Sequence, residues 1–411
     1  MFKDCAFFFQ MKQFFLIFTG ILFLLEFYIY QALKTVVGNP YGRIAYVAIN
    51  ALVYIFLVYN LLVLNRSDRD HHRVQVSATV VLAVLLPKLF IVFFLLIDDI
   101  FRLLQFGFSY FTNKESHFPE RRKFLSLAGL ALAGVFTSLF LDGVAFGKYR
   151  HRVRKVKVKI KNLPESFKGY KIIQISDMHA GSFFHPQKLQ HAFNMINEQK
   201  PDLVLFTGDM VNNLAEEFNS VKNLFASINA KDGKFSVLGN HDYGLYVQWN
   251  SKQEQAQNIP NLIKLQKEAG FEMLRNEHRI IDKNGEKLYI IGVENWGLKP
   301  FPQYGDLDKA TRGIPQNAAK ILMSHDPTHF DEIVKEHPSD ISLTLSGHTH
   351  GMQFGLDLKN IKWSPVQYRY KKWADLYESG GKYLYVNRGF GVIGYPGRVG
   401  VLPEITLIEL T

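Results

Sequence analysis

Five short clusters of polar residues in the C-terminal two-thirds of the chain carry the side chains best suited to chemistry. In chain order they are Asp177-Met178-His179, Gly208-Asp209, Gly239-Asn240-His241-Asp242, His325-Asp326 and Gly347-His348-Thr349-His350. They combine carboxylates, imidazoles and an amide, and this mixture of oxygen and nitrogen donors suits Mn, Fe or Zn better than Ca or a thiolate-preferring metal. The clusters therefore predict a metal site.

Each cluster follows a short apolar run of the kind that forms a buried strand. The runs cover 171–176, 203–207, 234–238, 288–293, 320–324 and 341–346, and helical patterns lie at 186–199, 215–228, 259–269 and 327–335. Strands that alternate with helices indicate an α/β layered domain, whose active groups lie in loops at the carboxyl ends of strands. We therefore expect the five clusters to meet at one edge of a sheet.

The five clusters, in this order, resemble the motifs of the calcineurin-like metallophosphoesterase superfamily over about residues 153 to 411. The resemblance implies a four-layer β-sandwich flanked by helices and two bound divalent metal ions. It implies that the first metal is held by Asp177, His179, Asp209 and His350, and the second by Asp209, Asn240, His325 and His348. Asp209 would bridge the two. Two cations about 3.5 to 4 Å apart lower the pKa of a bridging water and clamp both oxygens of an in-line displacement at phosphorus.

Two residues beside the expected ligand Asn240 are candidates for catalysis. A leaving alkoxide needs a proton, and His241 is placed to donate one. Asp242 is expected to orient the groups around it. Further along the chain, Arg388 and Arg398 could pair with phosphate or form structural ion pairs, and the sequence leaves both interpretations open.

One departure from the superfamily concerns the residues after the bridging aspartate. The protein Ser/Thr phosphatase branch has Asp-Arg-Gly soon after it, whereas here Gly208-Asp209 continues as Met210-Val211-Asn212-Asn213. This argues against phosphoprotein hydrolysis. The arrangement is more similar to bacterial membrane-associated or exported phosphoesterases, some of which resemble lipid-headgroup hydrolases such as UDP-2,3-diacylglucosamine pyrophosphatase. The resemblance thus implies a phosphomonoester, phosphodiester or pyrophosphate substrate, with a lipid-linked substrate as one candidate.

The N-terminal part of the chain differs in kind. Four apolar stretches, 14–33, 44–64, 76–97 and 124–146, reach or approach the roughly 20 residues that a bilayer-crossing helix needs. A cleavable signal peptide does not repeat four times, so these stretches predict anchors. We expect an integral, multi-pass membrane region at 1–147, followed by the metallophosphoesterase domain at 153–411. Membrane lipids and a phosphoester are the expected partners.

Two charged residues lie inside these apolar stretches. Glu26 and Lys88 each lie 12 residues after the start of their stretch, which is about 18 Å of helical rise. A charge near the centre of a membrane helix costs at least about 2.5 to 3.5 kcal/mol, so each needs a partner. We predict that the two form an ion pair, while snorkelling of Lys88 to the membrane surface is the alternative.

The net charge of +11 has a local source just after the last apolar stretch. The residues are Lys148, Arg150, Arg152, Arg154, Lys155, Lys157, Lys159 and Lys161. Apolar residues alternate with charge between Val153 and Ile160, so a solvated strand face and a polybasic contact with anionic headgroups are both open. No aromatic-rich or helix-turn-helix pattern accompanies the charge, and we expect no nucleic-acid partner.

The side of the membrane is indicated by conflicting signals. Arg121 and Arg122 resemble a twin-arginine export signal, although paired arginines also flank ordinary anchors. The basic residues after 146 favour a cytoplasmic domain. We predict the extracytoplasmic side, because a twin-arginine route exports folded, metal-loaded domains.

A membrane sensor or scaffold that binds metal and phosphoester without turnover is the rival function. The complete set of motifs, including His241, argues against it. A transporter with an accessory domain is disfavoured, because four spans without evident repeats do not fit transporter architecture. The single cysteine, Cys5, excludes an intramolecular disulfide and leaves the redox compartment open.

Overall fold

The structure is a computed structural model that describes residues 20–63, 71–112, 119–359 and 361–411. The chain divides into two compact units. The N-terminal unit comprises Met1–Val63 and Ser77–Leu141, and the C-terminal unit comprises Leu64–Val76 and Asp142–Thr411.

The described residues of the N-terminal part of the chain are helical, apart from the short connection at 37–39. Its helices are α1 at 20–36, α2 (Pro40–Val63), α3 (His71–Val80), α4 (Leu86–Thr112) and α5 (Pro119–Ala145), with a π-helical turn, Val81–Leu85, joining α3 to α4. Three helical stretches among the described residues are long and apolar enough to cross a membrane: Pro40–Asn60, His72–Phe111 and Glu120–Tyr149. These overlap the second, third and fourth predicted spans, and His72–Phe111 extends well beyond the predicted 76–97. Residues 14–19 of the first predicted span lie outside the described residues, and α1 covers the rest.

The predicted pair between Glu26 and Lys88 is present in the N-terminal unit. Lys88 Nζ donates to Glu26 Oε1 and to Asn50 Oδ1. The hydroxyl of Tyr46 donates to Glu26 Oε2 at 2.7 Å, and the hydroxyl of Tyr54 donates to Glu26 Oε1. Both carboxylate oxygens of Glu26 therefore have donors, and the pairing prediction is confirmed.

A second buried charge in this unit is Asp98 on α4. Its side chain is fully buried and accepts from Arg102 Nε at 2.8 Å, Arg121 Nε at 3.0 Å and Arg122 Nη1 at 3.3 Å. Arg122 also pairs with Asp99 at 3.1 Å. The two consecutive arginines thus have carboxylate partners within the helical unit, which gives them a structural role whether or not they also direct export.

The C-terminal unit alternates strands with short helices. Its strands are β1 (Arg152–Val158), β2 (Lys171–Ile175), β3 (Leu203–Phe206), β4 (Lys234–Ser236), β5 (Glu272–Met273), β6 (Glu277–Lys283), β7 (Glu286–Gly292), β8 (Ala319–Met323), β9 (Leu343–Ser346), β10 (Leu356–Asp357), β11 (Lys362–Trp363), β12 (Asp375–Ser379), β13 (Lys382–Val386) and β14 (Glu404–Leu410). Its helices are α6 (Gln190–Glu198), α7 (Lys222–Ala226), α8 (Lys252–Glu268), α9 (Leu307–Thr311) and α10 (Thr328–Glu332).

Two six-stranded sheets form the centre of this unit. One has the order β1-β14-β2-β3-β4-β5 and the other the order β12-β13-β9-β8-β7-β6, while β10 and β11 form a separate hairpin. Strands β2, β3 and β4 are parallel neighbours, as are β7, β8 and β9. Their carboxyl ends therefore lie along common edges.

The alternation of side chains along each strand builds the layers. Ile172 and Leu203 pack in the core between the sheets together with Ile321 of the other sheet. Their chain neighbours Ile173 and Val204 point the opposite way, into a core shared with α6, α7 and α8. The outer face of the second sheet packs in the same manner against α9 and α10. The order helix, sheet, sheet, helix confirms the predicted four-layer α/β fold.

One difference from the predicted elements is at α8. The helix predicted for 259–269 begins at Lys252, where the hydroxyl of Ser251 caps it by accepting from the backbone N–H of Glu254 at 3.1 Å. The first turns, 252–257, are almost entirely polar, so they show no apolar period. An N-cap, rather than hydrophobic spacing, marks this helix start.

The basic segment after residue 147 forms part of the first sheet. Strand β1 pairs in parallel with β14. Four of the eight basic residues pair with carboxylates: Arg150 with Asp142, Arg154 with Asp357, Lys157 with Glu409, and Lys161 with Asp340. Arg154 and Lys157 lie on β1 itself, and their pairs favour the interpretation of this part of the segment as a strand face.

Candidate metal centre

The five polar clusters meet where strands of both sheets end. Asp177, Asp209 and Asn240 follow β2, β3 and β4 of the first sheet, while His325 and His348 follow β8 and β9 of the second. Backbone bonds join the loops: the N–H of Asp177 donates to the carbonyl of Gly208 at 2.9 Å, and that of Gly347 donates to the carbonyl of His325 at 2.9 Å. The expected convergence at a sheet edge is therefore observed, and both sheets contribute to it.

Backbone geometry at the strand ends is unusual for residues with side chains. Positive φ values occur at five of the predicted ligands: Asp177 (55°), His179 (47°), Asp209 (58°), His348 (71°) and His350 (51°). Such conformations cost of order 1 to 3 kcal/mol each and concentrate at functional sites. Gly347 is required here for a related reason, since a Cβ atom on it would lie 2.2 Å from Asp177 Oδ2.

The first group of potential ligands consists of Asp177, His179 and His350, all buried. His350 Nε2 lies 3.3 Å from Asp177 Oδ1 and 3.0 Å from His179 Nε2. The backbone N–H of His348 donates to both carboxylate oxygens of Asp177, at 2.9 and 3.0 Å, and so orients that carboxylate. One potential ligand atom from each of the three side chains therefore lies close enough to the others to bind the same metal ion.

The second group consists of Asp209, His325 and His348. Asp209 Oδ2 lies 3.1 Å from His325 Nε2, and His348 Nδ1 lies 3.2 Å from the same nitrogen. His325 Nδ1 donates to the carbonyl of Thr207 at 2.8 Å, which leaves its Nε2 available as a ligand atom. Asp209 Oδ2 is also 3.6 Å from His179 Nε2 of the first group, so it lies between the groups.

Asn240 completes the predicted set. Its Nδ2 donates to the hydroxyl of Tyr246 at 2.9 Å, whereas its buried Oδ1 has no hydrogen-bond partner among the described residues. A buried amide oxygen without a partner is costly unless something else satisfies it. A cation held by the neighbouring carboxylate and imidazoles would do so, and the donor set suits Mn, Fe or Zn.

The pKa values of His325 and Asp209 show that the centre favours positive charge. Burial lowers the pKa of His325, but the carboxylates of Asp209 and Asp177 outweigh it and raise that pKa to about 10. Burial also raises the pKa of Asp209, yet the surrounding histidines, His325 first, hold it well below its usual range. The Asp209 carboxylate therefore stays ionised at neutral pH, and its charge favours a positively charged group or ion beside it.

His241 is held beside the two groups rather than within either. Its backbone N–H donates to Asp209 Oδ1 at 2.8 Å, and its Nδ1 donates to the carbonyl of Asn212 at 2.9 Å. Its ring meets that of His179 edge to face, with centroids 4.9 Å apart. Burial lowers the pKa of His241, which makes its protonated form a stronger acid. Nε2 is the ring atom left to exchange a proton.

Asp242 is fully buried, and its carboxylate binds backbone N–H groups. Its carboxylate accepts from the N–H groups of Asp209 and Gly239, both at 2.9 Å, and of Val211 at 3.1 Å. Burial, together with the charge of Asp209, raises its pKa to about 7. These contacts join the loops after β3 and β4, so Asp242 positions its neighbours.

Three residues at the centre were not predicted from the sequence. Tyr370 contacts His348 Nε2 through its hydroxyl at 2.8 Å, and Tyr246 binds the amide of Asn240. Glu217 accepts from the backbone N–H groups of residues 212–214 and so holds the loop after β3. None belongs to a recognisable motif, and only the tertiary fold brings them here.

The two candidate phosphate-binding arginines are structural. Arg388 is fully buried and pairs with Asp375 at 2.6 Å and Glu404 at 2.7 Å. Arg398, also buried, donates to the backbone carbonyls of Arg388 at 2.7 Å and Gly391 at 2.6 Å. Arg388 therefore forms structural ion pairs. Arg398 instead holds loop carbonyls in place through hydrogen bonds.

Comparison with known proteins agrees with this geometry. A family model described as "Calcineurin-like phosphoesterase" matches residues 170–352, and one described as "Probable Calcineurin-like phosphoesterase, transmembrane domain" matches residues 11–148. The "Uncharacterized metallophosphoesterase YkuE" of Bacillus subtilis is 31% identical over 299 residues, which are 71% of this chain and 97% of the relative. The "Transmembrane protein with metallophosphoesterase domain" of Danio rerio is 28% identical over 63% of this chain and 57% of its own. The "Phosphodiesterase YaeI" of Escherichia coli is 26% identical over 71% of this chain and 99% of its own.

Proposed function

The chain belongs to the calcineurin-like metallophosphoesterase family, and we propose that it is a membrane-anchored hydrolase that uses two divalent metal ions. The observation that carries this proposal is the position of one carboxylate oxygen, Asp209 Oδ2. Asp209 Oδ2 lies 3.1 Å from His325 Nε2 and 3.6 Å from His179 Nε2, so it is shared by two histidine groups. This is the placement that a bridging ligand needs.

The proposed ligands follow from the two groups. The first ion would be held by Asp177, His179, Asp209 and His350, and the second by Asp209, Asn240, His325 and His348. The unpartnered Oδ1 of Asn240 supports this assignment. Mn, Fe and Zn all fit the donor set.

When bound, such a pair of ions supplies an activated nucleophile and stabilises charge on the phosphoryl oxygens. The chain's own residues do the rest. His241 donates a proton from Nε2 to the leaving oxygen, while its Nδ1–H stays on the carbonyl of Asn212. Asp242 keeps the loops of Asp209 and Gly239 in register through their N–H groups.

The proposal includes the chain's organisation and the class of its substrate. We assign the membrane region to residues 1–147 and the catalytic domain to 153–411, which the matches to 11–148 and 170–352 support. The substrate is a phosphomonoester, phosphodiester or pyrophosphate close to a bilayer, such as a lipid headgroup. We propose that the catalytic domain lies on the extracytoplasmic side. A reporter fused after Thr411 that is active only in the cytoplasm would refute this.

Metal content separates this proposal from a site with one ion. Full-length protein purified in detergent with added Mn should bind two ions per chain. His179→Ala and His348→Ala should each lose about one, because each removes a ligand of a different ion. One ion per chain in the wild type, or loss of all metal in both variants, would contradict the dinuclear assignment.

Turnover separates the enzyme from a binding scaffold. The same preparation should hydrolyse a generic aryl phosphodiester in a Mn-dependent way, and a screen of lipid and nucleotide phosphoesters would then rank substrates. Protein that holds two ions and binds phosphoesters without hydrolysing any of them would be a sensor or scaffold.

A further inference from the structure

The hairpin formed by β10 and β11 places its apolar side chains towards the outside. In its register Leu356 pairs with Trp363 and Asp357 with Lys362, and the N–H of Leu358 donates to the carbonyl of Ile361. Residues opposite one another share a face, and alternate residues along a strand share it too. The apolar hairpin face therefore comprises Leu356, Leu358, Ile361 and Trp363. The first three are 51%, 61% and 56% exposed.

The other face of the hairpin is polar and packs against the protein. Asp357 is almost buried and pairs with Arg154 and, at 3.0 Å, with Arg388 Nε. Lys362 Nζ donates to Asp375 Oδ2 and to the carbonyl of Ala374, both at 2.9 Å. On a hairpin that faces water, the polar side chains would point outward and the apolar side chains inward. Ion pairs on its inner side hold this one with its apolar side outward.

The surroundings of the hairpin fit a lipid surface better than another protein. Lys359 lies beside Leu358, and Arg369 and Lys371 are exposed nearby in sequence. Basic residues next to apolar ones favour anionic headgroups, and a tryptophan such as Trp363 is typical of the membrane interface. The chain already carries helices that can cross a bilayer. Together these features select a membrane as the occupant of the apolar hairpin face.

The hairpin is connected to the metal centre at both ends. The segment leaves the centre at His350 and returns to it at Tyr370, whose hydroxyl lies 2.8 Å from His348 Nε2. We propose that the apolar hairpin face inserts into the headgroup region of an anionic bilayer and presents membrane-lipid phosphoesters to the centre. The substrate part of this proposal rests on the proposed function, whereas the docking part does not.

Docking can be tested without any activity measurement. Cys5 is the only cysteine, so Cys5→Ser gives a background in which Leu358→Cys can carry a polarity-sensitive fluorophore. Lys287→Cys, an exposed site near the turn of the β6–β7 hairpin, is the matched control. In full-length protein reconstituted into phosphatidylcholine and phosphatidylglycerol vesicles, a shallow spin-labelled lipid should quench the label at 358 several-fold more than at 287. Omitting phosphatidylglycerol should weaken this quenching.

Two results would overturn docking. One is equal quenching at 358 and 287. The other is protection of the label at 358 that depends on protein concentration and not on lipid, since this would make the face a contact between copies of the chain. Because the substituted side chain is exposed, loss of fold does not explain either result.

Turnover then tests the substrate. The triple variant Leu356→Ser, Leu358→Ser, Ile361→Ser should reduce hydrolysis of bilayer-embedded lipid phosphoesters on the order of tenfold or more relative to an aqueous aryl phosphodiester, because the apolar contacts with lipid are lost. An unchanged ratio would reject the docking role in catalysis. If the wild type hydrolyses no phosphoester in either form while the label at 358 is still quenched, the proposed function fails and docking stands.

Discussion

Buried charge is satisfied differently in the helical N-terminal unit and in the metal centre. Glu26 has donors on both carboxylate oxygens, and Lys88 pairs with it and with Asn50. In the centre, by contrast, Asn240 Oδ1 lacks a hydrogen-bond partner among the described residues. The first arrangement is closed and holds helices together. The second leaves a buried oxygen open beside potential metal ligands, and this difference separates a packing contact from a candidate binding site.

The largest expected effect comes from removing the shared carboxylate of the centre. Asp209→Asn should abolish turnover and weaken metal binding by more than the roughly 10- to 100-fold that loss of a supporting contact gives, because both ions would lose a charged ligand. Metal analysis and hydrolysis of an aryl phosphodiester measure this. Asp308→Asn, at a carboxylate whose side chain is 91% exposed, is the control. Full metal content with normal turnover in Asp209→Asn would place the ions elsewhere.

Removing a proton donor should spare the metals. His241→Ala is expected to keep both ions and slow hydrolysis by roughly 10² to 10⁴, the usual scale of general acid catalysis. The loss should shrink for a phenol-like leaving group, which needs less protonation. A loss of the same size for good and poor leaving groups would assign His241 to positioning.

For the Glu26–Lys88 pair in the helical unit, we predict that removing both partners lowers stability less than removing one. Glu26→Leu or Lys88→Leu alone should cost about 3 to 5 kcal/mol, because each leaves one buried charge without its partner. The double variant should be more stable than either. Thermal unfolding of the full chain in detergent gives the cycle, and additive effects would remove the pair as a packing contact.

A smaller effect is expected from acid, at a histidine of the catalytic unit that belongs to neither group of potential ligands. Burial lowers the pKa of His151 from 6.5 to about 4, and its Nε2 donates to the carbonyl of Phe390 at 2.9 Å. Because the unfolded chain binds the proton more readily, this stabilisation is complete above pH 6.5 and falls as the pH drops towards 4. It amounts to about 3 kcal/mol at most.

Unfolding midpoints of the full chain between pH 7.5 and 4.5 measure this dependence. His151→Gln should make it shallower, whereas His185→Gln, at an exposed histidine, should not. An unchanged slope in His151→Gln would assign the acid sensitivity to other groups, such as the buried His329, whose pKa burial also lowers to about 4.

The sequence predicted the fold and the members of the centre because both depend on local signals. Apolar runs such as 203–207 mark buried strands, and a polar cluster after each run marks a strand end. The partner of Lys88 could also be predicted, since two charges at equal depth in apolar helices have few alternatives. Ion pairs of the basic strand were left open, because the carboxylates of Asp357 and Glu409 are far away in the chain.

The sequence by itself determined that the chain has an apolar helical region and an α/β domain with metal-ligating motifs, since periodicity and residue type suffice for both. Only the tertiary structure decided that Asp209 Oδ2 lies between two histidine groups, that Tyr370 reaches His348, and that the hairpin after His350 turns its leucines outward. Those facts depend on register and on contacts between distant segments. A strand's sequence defines its two faces, but the partners it packs against decide which face is covered.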